Sequence, residues 1–285
     1  MKLRRCVKIE LWKAFHQRAF RVALFIALAI AAADTAQAFL SVKSLSEGSI
    51  IGAGWEGISL FTWWIGINGV TFGHILYFFL WPLLVAIPYA SSYCRERKSG
   101  LALQIVTRSG RKNYLLSKYI AVFVSSGVVM ALPIFMNLMI DAMFCPAALI
   151  RVSSSMTTVE NGDFMSAVFF TKPWLFALAW CCIHFLWGGA TGTICLAFGS
   201  AIRKPTLLTL VPFILLVALD LVDLAVRTVL VNSPVRGIIN LSPLSLANAA
   251  SSVAHPSTQV LLGIVMMALL PFVLFYYREK KHDLL

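Results

Sequence analysis

The sequence predicts an all-α integral membrane protein with six transmembrane helices, an amphipathic interfacial helix at the N-terminus, and both termini in the cytoplasm. Three observations carry that reading. Mean hydropathy is +0.83, and 13% of the 285 residues are charged, against roughly 25% in soluble domains. Apolar runs reach the length of about 20 residues that a bilayer's hydrocarbon core demands. The basic residues, finally, are sorted along the chain rather than scattered.

The elements follow in order. Residues 1–18 form the interfacial helix: Leu3, Val7, Leu11 and Phe15 recur at i+4, and Cys6, Ile9 and Trp12 widen the apolar face. Arg4, Arg5, Lys8, Lys13 and Arg18 supply a polar face suited to lipid headgroups. The transmembrane domain, 19–285, has spans at 19–40, 72–93, 119–143, 174–200, 207–226 and 259–277. An even number of spans puts both ends on one side. Placing the termini inside gathers 19 of the 24 Lys and Arg there and leaves Lys43, Arg151, Lys172, Arg227 and Arg236 outside. The positive-inside rule fixes that orientation. The net charge of +12 is therefore read as topology and not as a nucleic-acid surface.

Two rival topologies are weaker. Ala36-Gln37-Ala38 could end a signal peptide, but the basic start is long and patterned, and Asp34 sits beside the site. An extra span over Ser49–Val70 would place Glu56 and five internal glycines in lipid. Trp55, Trp63 and Trp64 suit an interfacial segment dipping into the outer headgroups. The last outer loop, 227–258, is too apolar for a solvated linker, and Pro234, Pro243 and Pro256 divide it into short re-entrant or interfacial pieces.

The most informative stretch is SSYCRERKSGLALQIVTRSGRKNYLLSKY, residues 91–119, in which seven basic residues surround the apolar segment LALQIVT. Ser99 is expected to cap a short helix with Leu101 and Ile105 on its apolar face. Ser109-Gly110 ends it, and Asn113 is expected to cap the next helix. A short amphipathic helix between two spans can enter a partner's groove or merely anchor a positive loop.

The segment ERKSGLALQIVTRSGRKNYLLSKY resembles the loop of ABC-2 permeases of ABC exporters, especially the branch associated with peptide-antibiotic and lantibiotic export. That pattern opens with glutamate-basic-x-x-Gly at the end of span two. A short apolar helix, a small-residue turn with arginine and a lysine opening span three follow. Glu96-Arg97-Lys98-Ser99-Gly100, Leu101–Thr107, Arg108-Ser109-Gly110-Arg111 and Lys118 match in that order. Ser109-Gly110 stands where a proline is common, which leaves the end of the short helix open. The amphipathic start, the six spans and Leu241-Ser242-Pro243-Leu244 extend the likeness along the chain.

The resemblance implies a bacterial cytoplasmic-membrane exporter subunit moving an amphiphile such as a peptide antibiotic, a drug or a lipid-like molecule, in resistance or immunity. It implies a coupling helix at about 99–108, with Glu96, Arg97, Ser99, Gly100, Leu101, Ile105, Arg108, Arg111 and Lys118 serving an ATPase partner. It implies two ATPase subunits and a second permease chain, identical or related. The chain has no G-x-x-x-x-G-K-[ST], so ATP and Mg are expected on the partner, with no catalysis and no cofactor here.

Acids at membrane depth mark function by default. Asp34, Asp141, Asp220 and Asp223 are expected at the outer ends of spans one, three and five, as an acidic vestibule for a cationic amphiphile or simply as solvated headgroup-level residues. Arg227 follows Asp223 at i+4. Ala23 and Ala27 belong to a small-residue stripe, and Gly188 and Gly192 form GxxxG; both permit close helix packing. Cys181 and His184 share a face that could hold a metal or simply pack. A stand-alone secondary transporter or channel would need midplane carboxylates and usually an inverted repeat, and neither is evident. An intramembrane hydrolase would need partners for His74 and His184, and H-E-x-x-H is absent.

Overall fold

A computed structural model describes residues 3–48, 59–149, 159, 162–202, 204–230, 240–250 and 257–281. Every regular element among them is a helix. The order is α1 (Leu3–His16), α2 (Arg18–Gly48), α3 (Leu60–Trp63), α4 (Phe72–Ala86), α5 (Ser92–Lys98), α6 (Leu101–Ser109), α7 (Arg111–Asp141), α8 (Ser166–Thr171), α9 (Pro173–Phe198), α10 (Pro205–Val229), α11 (Pro243–Leu246) and α12 (Ser257–Lys281). Of these, α2, α7, α9, α10 and α12 are long and apolar enough to cross a membrane.

The predicted second span differs. Residues 72–93 are not one helix: α4 ends at Ala86 after 15 residues, a rise of about 22 Å. Pro88, which has no N–H to continue the ladder, lies in the turn that precedes α5. Tyr89, within that break, and Tyr93, just after it in α5, are buried. The remaining predicted spans overlap helices; α2 continues past residue 40 to Gly48, and α7 starts earlier than predicted, at Arg111.

At the centre, α7 and α9 pack backbone to backbone. A Cβ on Gly188 would stand 2.6 Å from Met130 Cβ, and one on Gly189 would stand 2.8 Å from the Phe123 carbonyl oxygen. On Gly192 it would collide with Ser126 Oγ. The GxxxG face is thus consumed within the chain. So is the alanine stripe: Ala23 and Ala27 are buried where α2 packs on α4 and α7.

At the end away from the basic loop, residues 59–71 correct the interfacial expectation. Leu60, Phe61, Trp64, Ile65 and Ile67 are buried inside the bundle, and Trp63 is half-buried. Trp64 Nε1 donates to the Ile134 carbonyl at 2.9 Å, and Trp180 Nε1 donates to the Gly66 carbonyl at 3.1 Å. Asn137 Oδ1 accepts from the Ile65 N–H at 3.0 Å. Irregular backbone persists at such depth only when protein supplies its hydrogen bonds, and here the Trp180 indole and the Asn137 amide do so, while Trp64 pins the segment to α7. Trp55, Glu56, Pro234 and Pro256 lie outside the described residues.

Candidate functional site

The quoted loop folds into two elbows, each made by a glycine. Gly100 joins α5 to α6 at φ 75°, and Gly110 joins α6 to α7 at φ 81°. An L side chain is disfavoured in both conformations, whatever the space around them. Ser99 does not cap α6; its hydroxyl donates to the Glu96 carbonyl at 3.2 Å, at the end of α5. Asn113 lies inside α7, and its Nδ2 donates to the Ser109 carbonyl at 3.0 Å, closing the end of α6 instead.

Between the elbows α6 turns Ala102 and Ser109 inward, with Ile105 and Val106 packed against the core below. Leu101 and Leu103 stay 41% and 39% exposed, and Arg108 is exposed with them. The structure therefore separates Leu101 from Ile105. Ile105 borders a 200 Å³ cavity against α1 that Ile9, Glu10 and Lys13 also line. Sequence spacing placed the two on one face because four residues differ by only about 40° around a helix. That small angle decides which side of the boundary each occupies.

Glu96, Arg97 and Lys118 face the protein interior. Lys118, fully buried, pairs with Glu10 and, at 2.8 Å, with Glu96. Lys13 meets Glu10 at 2.8 Å and Glu96 at 3.6 Å. Tyr89 donates its hydroxyl to Glu10, and Tyr114 donates to Glu96, both at 2.7 Å. Lys118 Nζ also lies 4.6 Å from the Tyr89 ring centroid. Two acids, two lysines and two tyrosines thus join α1, α5 and α7. Arg97 extends the set to α12 through Glu279, at 3.6 Å. Arg111 lies at the start of α7, half-buried.

Burial alone would push the Glu10 carboxyl up, but Lys118, Lys13 and Tyr89 outweigh it and hold it below the ordinary 4.5. Burial would likewise pull Lys13 down, yet Glu10 and Glu96 raise it above the ordinary 10.5. Glu10, Tyr89 and Tyr114 were not singled out by sequence, and Lys13, read there as facing lipid headgroups, pairs with Glu10 and Glu96 instead. A signal was present: Glu10 is the one acid before Asp34, and it lies on the inward Cys6–Glu10–Ala14 face of α1. That face packs on protein, and Ile9 and Trp12 of the predicted lipid-facing set are exposed.

The four acids expected at outer helix ends do not form one cluster. Asp34 is buried and serves α4: its carboxylate accepts from the Thr71 hydroxyl and, at 3.0 Å, from the His74 N–H. Gln37 accepts from the Phe72 N–H beside it at 3.0 Å. A Cβ on Gly73 would stand 2.5 Å from Asp34 Cβ, so glycine admits this approach. Asp141 is also buried, near Asp34 and the Thr35 hydroxyl. Asp223 pairs with Arg227 at 2.6 Å and accepts from the Leu241 N–H at 2.7 Å. Asp220 accepts from the Ser242 hydroxyl, which in turn caps α11 by accepting from Ser245 N–H at 3.1 Å.

His184 Nδ1 donates to the Trp180 carbonyl at 2.8 Å. No group of three His, Cys, Asp or Glu able to hold a metal occurs among the described residues. In comparisons with known proteins, no family model and no curated protein matches the chain.

Proposed function

We propose that this chain is the membrane-embedded subunit of an ABC-2-type exporter, with α6 as its docking helix for a separate ATPase. The observation that carries the reading is α6 itself: a nine-residue amphipathic helix, clamped between two positive-φ glycines, with Leu101 and Leu103 exposed on the basic end. A helix this short is marginal alone, and here its inward face already folds against α1 and α7. Its outward face is free to enter a cleft as a pre-formed anchor, which lowers the ordering cost of binding.

The ion network gives that anchor something to move. Glu96 and Arg97 stand at the base of α6 and pair with Lys13, Lys118 and Glu279 on three other helices. Displacement of α6 by an ATPase passes into α1, α7 and α12 as rigid-body motion. In this reading α4 and α5 together complete a sixth crossing, the basic end faces the cytoplasm of a bacterium, and two permease chains pair with two ATPases. The pairing uses faces other than the glycine and alanine stripes, which are occupied internally. This chain then holds no ATP; the nucleotide and Mg stay on the partner.

A second reading, a stand-alone ion-coupled transporter, draws support from the buried carboxylates of Asp34 and Asp141. Proteoliposomes separate the two. Export that requires a co-reconstituted ATPase and ATP supports the first reading, and uptake or efflux by the chain alone on an ion gradient supports the second.

A further inference from the structure

One cavity of about 350 Å³ lies between α4, α10 and the α11 segment, apart from the α6 site. Its polar wall holds Asp220, His74 and Asn248, and its apolar wall holds Ile75, Phe78 and Phe79. Ile75 and Phe79 are 55% and 53% exposed, so the apolar wall continues to the outer surface of the helices, where acyl chains would lie.

The polar wall is dominated by acceptors. Asp220 uses one carboxylate oxygen on the Ser242 hydroxyl, and its other oxygen has no protein partner among the described residues. Asn248 Oδ1 already accepts from the Ala250 N–H at 3.0 Å and lies 3.1 Å from His74 Nε2. His74 Nδ1 donates to the Ile65 carbonyl at 2.6 Å, so that proton is spoken for. Asp223 is answered by Arg227 at 2.6 Å, whereas no ion pair is formed by Asp220 among the described residues. A carboxylate on an apolar spanning helix is costly without a counter-charge, and a cavity beside it leaves room for one. Phe78 and Phe79 add ring faces of the kind that attract ammonium groups.

We propose that this cavity binds the cationic head of an amphiphile, with an ammonium nitrogen at Asp220 and the carbon chain along Ile75, Phe78 and Phe79. The shared chemistry is an ammonium on an apolar body, whether a free amphiphile or the head of an aminophospholipid. The inference rests on the transport reading only in treating such a cation as cargo. Binding itself needs no ATPase, so failure of either idea leaves the other standing.

The test uses the full chain in an uncharged maltoside, with radiolabelled phenethyltrimethylammonium and its uncharged isostere, in which carbon replaces nitrogen. The cation should bind at least tenfold more tightly than the isostere. Asp220→Asn, which keeps an acceptor for Ser242, should lose at least tenfold for the cation at an unchanged unfolding midpoint. Competition by short-chain phosphatidylethanolamine assigns the site to a lipid head, and lack of competition assigns it to a free amphiphile. Equal binding of cation and isostere would reduce the site to an apolar groove and overturn the proposal. So would no binding to the folded wild type, because Asp220 would then be balanced within the protein, with the His74 ring as the nearest candidate. Should Asp220→Asn fail to fold, the comparison of cation with isostere on the wild type still decides.

Discussion

Lys118 and Glu96 meet 2.8 Å apart inside the protein, although each lies in a stretch whose charges read from sequence as surface docking groups. Their burial turns part of the basic loop into an internal brace. Lys118 is held between Glu96 of α5 and Glu10 of α1, so three helices depend on one ammonium.

Lys118→Met should therefore be severe. It leaves Glu10 and Glu96 buried with only the half-buried Lys13 to answer them, and breaking a buried pair from one side costs about 3–5 kcal/mol. Lys118→Met combined with Glu10→Gln should recover part of that loss. Thermal unfolding in detergent measures both, and a Lys118→Met protein as stable as wild type would refute the brace.

The pH dependence follows from Glu10 and Lys13. Glu10, lowered from 4.5, contributes stability that is present above 4.5 and lost as pH falls through its depressed value. Lys13, raised from 10.5, contributes stability that is present below 10.5 and lost as pH rises past its elevated value. Hydrogen exchange over α1 should thus show steady protection through the neutral range and release at both extremes. Glu10→Gln should remove the acid-side release.

Gly100→Ala and Gly110→Ala test the elbows. Nothing lies within 4 Å of a Cβ at either position, so the cost comes from the backbone alone: about 1–2 kcal/mol at Gly100, which is left-handed helical, and more at Gly110, whose ψ of 143° lies near the region kept to glycine. Denaturation midpoints should fall in both variants, and further for Gly110→Ala. A neutral Gly100→Ala would mean that the α5–α6 turn can adopt another geometry.

Local chemistry was legible and tertiary partnership was not. Gly100, Gly110 and Pro88 announce their turns because their effects are intrinsic to one residue. The long apolar runs announce α2, α7, α9, α10 and α12 for the same reason. Pro88 signals an interruption, but nothing local says that α4 ends before it rather than bending. Trp64 looks interfacial by composition, and only the carbonyl of Ile134 places it inside. Glu10 looks like a stray acid in a basic helix until Lys118, far along the chain, arrives beside it. The outer acids share a residue type and a depth in sequence, yet Asp34 caps a helix, Asp223 pairs with Arg227, and Asp220 borders a cavity.

The docking role of α6 is tested most directly by charge substitution on its two faces, with co-purification of a co-expressed ABC ATPase as the measurement. Leu101 and Leu103, about 160° apart around α6, flank its exposed arc, so Leu101→Asp and Leu103→Asp should leave insertion and thermal stability unchanged. They should still abolish ATPase co-purification, a loss of about 2 kcal/mol or more at such an anchor. Ile105→Asp, packed against the core, should instead destabilise the chain itself. An ATPase that co-purifies at wild-type level with Leu101→Asp and Leu103→Asp combined, and is still stimulated, would contradict the assignment of α6 as the docking helix.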